Sequence, residues 1–571
     1  MTKSYNKMQT IEDIGSYTIQ HIFRNSVEKF SELPALSLVG KTPMTYSELF
    51  EKVKHYASLL KHIGIKKGDK IAILSPSTPK WGVAYFAIVC LGAIAIPLLP
   101  DFNKSEVEGM IKHSEACFAF VSKNNQEKLA DCTTLQHIYY LEDDAFLTGE
   151  PMPIIDTSFD LFAEPINEED TASIIYTSGT TGTPKGVELS HKNIAFMAHQ
   201  SRLIQDIHPT DTFLSILPMS HVYEFSIGFI FPIMQGCHVC YLGRAIAVSS
   251  LLPALKTVRP TIMLSVPAVM EKIYKNKIVP SFEKNMIVAK LYRITFIRKI
   301  LHRIAGKKLM DTFGGRIHFF GLGGAKLSPD VERFLKEAKF PYAIGYGLTE
   351  TSPLIAGANP KKSRLQSTGP KMEGIEMKLI DVDPVSGIGE IVTKGPHVMK
   401  GYYKNEELTK SVFTEDGFFK TGDCGLIDKD GYLYIKGRKK NVIVGASGEN
   451  IYPEDIEFVL NKHPLVLESL VIERDQKLVG LVKLDEDSIE NSDLTPENPE
   501  LSPYAKALAD IRSYVNSQVN KFSKLKAIER IVDLEKTASQ KIKRFLYSNS
   551  GKDKTTDDTP EKNDTGEKKD T

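Results

Sequence analysis

Residues 176–191 read YTSGTTGTPKGVELSH and follow the apolar, strand-like run Ser173–Tyr176. Thr177, Ser178, Thr180 and Thr181 supply hydroxyls, Gly179, Gly182 and Gly186 lack a Cβ, and Lys185 adds a cation, all within eleven positions. A polyphosphate needs such a loop, with many N–H and O–H donors at close range and nothing to hold the anion off. A Walker loop would require G-x-x-x-x-G-K followed by Ser or Thr to hold magnesium. Here Lys185 stands between Pro184 and Gly186. Spacing and metal hydroxyl are both wrong, which disfavours kinase-like and motor-type nucleotidases. Ser190 is placed to cap a helix expected over 192–203.

Outward from this loop, short β-branched or aromatic runs alternate with longer amphipathic segments, the pattern of α/β layers. Strands are expected at Lys70–Leu74, Phe118–Val121, Thr261–Leu264, Ile317–Phe320 and Gly431–Lys436. Helices are expected at Tyr46–Leu60, Pro329–Ala338 and Glu454–Asn461. No internal repeat is visible. A chain of 571 residues exceeds one ordinary domain, at roughly 150 residues each. Apolar residues make up 42% and charged residues 25%, enough for a buried core. Lys and Arg number 72 against 71 Asp and Glu, which leaves no cationic surplus for a nucleic-acid partner. The Cys at 90, 117, 132, 237, 240 and 424 are scattered, as expected of reduced thiols in a cytoplasmic protein. Cys237-His238-Val239-Cys240 spells C-x-x-C without a second pair, so neither zinc nor redox chemistry is expected there.

Residues 1–22 lack the apolar core of an export signal. Trp81–Pro100 carries no charge and is long enough to span a bilayer, yet Gly92 and Pro97 interrupt it. The expectation is a buried helix, a glycine turn and a strand; Phe225–Gly243, cut by Pro232 and Gly236, is taken the same way. Residues 484–503 hold seven carboxylates and no Lys or Arg, as a solvated loop would, and 551–571 hold no large apolar side chain. Residues 284–308 carry eight Lys or Arg and no acid, with apolar residues between them, and Lys299, Arg303 and Lys307 share a helical stripe. One reading is a helix on an anionic membrane surface. The expected one is a surface helix with its apolar side against its own core.

YTSGTTGTPKG resembles the phosphate loop of the adenylate-forming superfamily, which holds acyl- and aryl-CoA synthetases, luciferases and peptide-synthetase adenylation domains. Further segments are similar to that family's motifs, in order, from about residue 40 to 545. They are Leu217–His221, Gly321–Ala325, Tyr346–Glu350, Phe419–Asp423, Gly437–Lys440 and Lys536–Ile542. The resemblance implies a large α/β N-terminal domain of several layers, 1–438, hinged near Lys440 to a small α+β domain, 439–550, before a polar tail, 551–571. It also implies ATP, Mg2+ and coenzyme A. Thr177 through Gly182 and Lys185 would hold phosphates, Thr177 and Glu350 the magnesium. Gly324, Ala325, Tyr346, Gly347, Thr349, Asp423 and Arg438 would hold the adenosine. His221, Val222, Phe225, Gly323 and Gly448 would border the acyl group and thiol. Lys541 would bridge the attacking carboxylate and the α-phosphate; the small domain would then rotate about Lys440 and bring residues 445–450 to the thiol. The family has Gly before its last lysine and Pro before the preceding Lys-Thr; this chain has Gln540 and Glu535.

The loop Gly445–Asn450 and the run Leu217–Glu224 look most like bacterial long-chain fatty acid–CoA ligases. The expected function is ATP-dependent activation of a long-chain fatty acid and its transfer to coenzyme A. Acyl carrier protein is the alternative acceptor, another carboxylic acid the alternative substrate, and peripheral contact with the inner face of a membrane a further partner. The non-enzyme alternative is a nucleotide- or lipid-binding relative, against which Lys185, Glu350, Asp423, Arg438 and Lys541 all stand intact.

Overall fold

The computed structural model describes residues 8–147, 158–177, 184–283, 286–445, 449–490, 502–537 and 542–547. The chain divides into two compact units, Met1–Ile435 and Lys436–Thr571.

The first unit is α/β and holds two eight-stranded sheets. One runs Leu354–Gly357, Tyr342–Gly347, Phe319–Leu322, Ile262–Ser265, Thr212–Ser215, His238–Tyr241, Pro34–Leu38, Met44–Thr45. Its six inner strands are parallel and its two edges antiparallel. The other runs Gly401–Tyr402, Lys185–Ser190, Thr171–Thr177, Ile94–Leu98, Lys70–Leu74, Phe118–Val121, His137–Tyr140, Ala145–Phe146. Parallel strands need crossover helices, and these bury both sheet faces, which is why the strands read as continuous apolar runs. A five-stranded antiparallel sheet, Gly369–Pro370, Tyr432–Arg438, Phe419–Ile427, Gly389–Lys394 and Glu376–Ile380, follows.

The uncharged run at 81–100 is the helix Pro79–Cys90, buried from Trp81 onward, then Gly92 at φ +69° and the strand Ile94–Leu98. A helix apolar on all sides belongs inside a core as well as in a bilayer. Among the described residues no helix is long and apolar enough to cross a membrane. The stretch at 225–243 likewise becomes Glu224–Ile230, a π-helix, then Phe231–Met234 and the strand His238–Tyr241. Thr45 caps the helix Tyr46–His62 reciprocally with Glu48. Ser190 caps His191–Ser201 by accepting from the Asn193 N–H.

Three expectations need correction. The strand placed at 317–320 is Phe319–Leu322; His318 is occupied with Asp211 and Thr261, so the ladder to Ile262 starts at Phe319. Residues 484–490 are not loop: Leu484 ends a strand, and Glu486–Glu490 is a helix with Ile489 buried. Residues 491–501 lie outside the described residues. In the basic segment the apolar side does not face the core. Met286, Ile287, Leu291, Ile294, Phe296, Ile300 and Ile304 are exposed, and the helix Thr295–Thr312 buries His302, Ala305, Gly306 and Leu309 instead.

The second unit is α+β. Val466–Arg474 and Lys477–Leu484 pair antiparallel, and Ala527–Arg530 joins the second in parallel. Alternation splits the sheet: Val466, Val471, Leu478 and Val482 meet the helices Pro453–Leu460 and Pro503–Gln518, while Leu470, Ile472, Val479 and Leu481 pack on Ile531 and Leu534.

Candidate active site

Thr177 and Lys185 face each other across the antiparallel strands Thr171–Thr177 and Lys185–Ser190. The loop between them, with Ser178, Gly179, Thr180, Thr181 and Gly182, lies outside the described residues. A Cβ on Gly186 would stand 2.8 Å from Ile174 Cγ2, so the hairpin closes at its base only because Gly186 has none. On the other side of Lys185–Ser190 the strand Gly401–Tyr402 places Tyr402 opposite Val187. The Tyr402 hydroxyl donates to Glu350 Oε1 at 2.8 Å, and Lys185 Nζ lies 5.5 Å from the Tyr402 ring centroid. Glu350 belongs to the turn Thr349–Thr351, which packs on Lys185–Ser190, and its carbonyl accepts from the Met399 N–H at 2.9 Å. Lys185 and Glu350, far apart in sequence, thus converge on Tyr402, with Thr177 paired to Lys185 on the neighbouring strand. Nothing in Gly401-Tyr402-Tyr403 marks that residue in the sequence.

A second cluster forms where the parallel strands Phe319–Leu322 and Tyr342–Gly347 end. The Gly323 N–H donates to Ser265 O, and exposed Gly324, at φ +84°, precedes exposed Ala325. The Tyr346 hydroxyl donates to Asp423 Oδ2 at 2.7 Å. Asp423, buried on the strand Phe419–Ile427, is held from behind by Thr421, whose Oγ accepts its N–H at 3.1 Å. Carboxyl ends of parallel strands are where ligands of open α/β sheets bind. The donor set fits a nucleotide with magnesium: one carboxylate at Glu350, a lysine beside it, an aromatic ring at Tyr346 and an exposed glycine backbone. Magnesium held by one or two carboxylates and substrate phosphates needs no larger cage; among the described residues no group of three or more His, Cys, Asp or Glu forms one.

His221, half-buried, ends a segment fixed by Ser77, which donates to Leu217 O and accepts from the Met219 N–H at 2.9 Å. The helical residues that follow split by face. Tyr223, Ile227 and Phe231 line an apolar cavity together with Phe213, Leu264 and Gly321. Phe225 turns the other way, edge-on to Tyr85 with centroids 4.7 Å apart, and Val222 is buried outside the cavity lining. Cβ atoms on Gly321 or Gly323 would reach 2.9 Å from the Tyr223 hydroxyl or 3.2 Å from its ring, so both glycines make room for that tyrosine.

Glu224, the one charge in this run, is buried, and its Oε2 finds no partner among the described residues. Burial pushes its carboxyl up to about 8, against a weaker opposing pull from the Ser215 hydroxyl. The unfolded carboxyl titrates near 4.3, so folding takes up a proton between the two values. Its contribution to stability is full below the unfolded pKa and is lost as pH rises through 8. Glu224→Gln cannot titrate. The melting temperature of the variant minus that of the parent is expected to grow from pH 5 to pH 8 and then level off. Parallel melting profiles across that range would refute it.

Arg438 ends the strand Tyr432–Arg438, within which the second unit begins at Lys436, and exposed Lys440 lies in the turn Lys439–Asn441. Gly448 and Lys541, with Gln540, lie outside the described residues. The flanks of Lys541 are well tied: Lys536 bridges Ile542, and the Lys543 N–H donates to Glu535 O at 2.8 Å. Arg544 then anchors the turn, pairing with Glu457 Oε2 at 2.7 Å and donating to Val471 O.

The site and fold define a nucleotide-using α/β enzyme. The fold is shared with ATP-bound MatB from Rhodopseudomonas palustris (TM-score 0.75, 22% identity, 93% of this chain and 98% of that one). The profile of the AMP-binding enzyme family matches residues 23–403, and the chain belongs to that family, the adenylate-forming superfamily. It is 28% identical over 490 residues to long-chain-fatty-acid–CoA ligase FadD15 of Mycobacterium bovis, covering 79% of this chain and 78% of that protein. It is 30% identical over 535 residues to the peroxisomal long chain acyl-CoA synthetase 7 of Arabidopsis thaliana, covering 85% and 75%. The chloroplastic long-chain-fatty-acid–[acyl-carrier-protein] ligase AEE15 of the same plant is 29% identical over 564 residues, covering 81% and 76%.

Proposed function

We propose that this AMP-forming acid–thiol ligase activates a long-chain fatty acid and transfers the acyl group to coenzyme A. The observation that carries the chain class is the apolar cavity faced by Tyr223, Ile227 and Phe231, beside the segment that ends at His221. Its lining is apolar and holds no carboxylate to pair with an ammonium, which favours a hydrocarbon chain over an amino acid.

In the first step a carboxylate oxygen attacks the α-phosphorus of ATP, a new P–O bond forms and the bond to pyrophosphate breaks. Lys185 and the 177–182 loop hold the leaving phosphates; Glu350 and Thr177 hold magnesium, which when bound offsets the phosphate charge. Tyr346 and the Gly324–Ala325 backbone receive the adenine, and Asp423 and Arg438 the ribose, with Gly347 and Thr349 shaping that wall. Lys541 neutralises the charge gathering between carboxylate and α-phosphate. In the second step a thiolate attacks the acyl carbon and AMP leaves; rotation about Lys440 withdraws Lys541 and presents residues 445–450, Gly448 included, to the thiol. Carrier protein is the second acceptor, favoured by the likeness to the chloroplastic ligase.

The test is pyrophosphate release from ATP and magnesium over a series of acids, with and without coenzyme A. Long-chain acids should drive release and form the thioester only with coenzyme A. Ile227→Trp, which fills the cavity, should shift the preferred acid to shorter chains while release with those chains survives. Preference for a small polar acid would overturn the substrate class, and thioester only on carrier protein would overturn the acceptor.

A further inference from the structure

We infer that Met286–Leu291 and Thr295–Thr312 form a docking surface for an anionic lipid membrane. On Thr295–Thr312, Phe296, Ile300 and Ile304 recur every fourth residue and are 72%, 42% and 54% exposed. Lys299, Arg303 and Lys307 recur beside them and are exposed too. At about 100° per residue the two rows interleave on one solvent-facing arc. The preceding helix, Met286–Leu291, repeats the pattern, with Met286 79% and Ile287 68% exposed and Lys290 exposed too.

These apolar side chains cannot be accommodated by turning the helix inward, because its other face is pinned. Arg298 makes a two-pronged ion pair with Glu337, at 2.8 and 3.1 Å, and His302 Nδ1 lies 2.8 Å from the same carboxylate. A Cβ on Gly306 would stand 2.6 Å from Ala338 Cβ, so the two helices are already at closest approach. The buried side holds His302, Ala305, Gly306 and Leu309, while Phe296, Ile300 and Ile304 stay on the exposed side.

The charge selects the occupant. Between residues 284 and 308 there are eight Lys or Arg and no acid, while the whole chain is balanced at +1. Exposed aromatic and branched aliphatic residues interleaved with cations suit a lipid interface, where the apolar groups enter the acyl boundary and the cations meet headgroup phosphates. A second copy of this chain would bring the same positive field against itself.

The test is cosedimentation of the full chain with vesicles of phosphatidylcholine, with and without phosphatidylglycerol. Binding should require phosphatidylglycerol and weaken as salt is added. K299E/R303E/K307E should weaken it at least about tenfold. F296S/I300S/I304S should weaken it on the same vesicles, and both variants should keep the parent's melting temperature and ATP affinity. Absence of binding by the parent, or equal binding by the charge-reversed variant, would overturn the inference. So would self-association by light scattering that is lost in F296S/I300S/I304S while vesicles are ignored. Binding is read without acid, ATP or thiol, so its outcome is independent of the substrate assignment.

Discussion

Lys541→Ala is expected to lower acyl-adenylate formation by about 10²–10³-fold, the usual cost of removing one preorganised donor from a developing charge. Thioester formation from supplied acyl-adenylate should stay within a few-fold of the parent, because the proposed role ends when pyrophosphate leaves. Single-turnover measurements of the two half-reactions separate these outcomes. Equal loss in both would remove Lys541 from the first step and make its effect one of folding. The fold supplies a reason to expect separation: Arg544, Glu457 and the Lys536–Ile542 bridge hold the flanks of this lysine through contacts that do not use its side chain.

Gly347→Ala should behave in the opposite way, damaging both half-reactions together and lowering the melting temperature. A Cβ there would lie 1.6 Å from Pro353 O and 3.0 Å from Leu354 Cα, both backbone atoms that no rotamer change can move. Relief requires shifting Leu348–Pro353, which carries Glu350, away from Tyr346. Small-to-large changes in packed cores cost about 1–3 kcal/mol, and contact with backbone puts this one at the upper end. Gly40→Ala is the control: φ is +77° with nothing within 4 Å of the added Cβ, so only backbone strain is expected. Thermal melting and AMP binding of the two variants check the contrast, and similar profiles would refute it.

Much of the fold was legible where local chemistry and burial agree. The strand before the 176–191 loop, the serine cap after it and the buried Trp81 helix all follow from residue spacing and glycine placement. The site was legible as separate segments only. Tyr402 could not be found from sequence, because its role comes from a short edge strand that pairs across more than two hundred positions with Val187. Residues 222–231 were legible as apolar but not by face, since Phe225 and Tyr223 look equivalent until the helix turns one to the core and one to the cavity. The basic segment misled for a related reason. Periodicity says that apolar residues share a side, and it cannot say that Gly306, Ala305 and His302 are what the neighbouring helix demands on the other.

The placement of Tyr402 has a further electrostatic consequence. A lysine and a carboxylate at the proposed phosphate site are natural partners for each other, and a direct pair would quench both before any substrate arrived. Here the aromatic ring stands between them as a spacer, with Lys185 beside its centroid and Glu350 bonded to its hydroxyl, and among the described residues no ion pair joins the two. In the proposed mechanism the cation and the anion then serve different guests, one phosphate oxygens and the other a metal ion. Tyr402 keeps the two charges from pairing with each other.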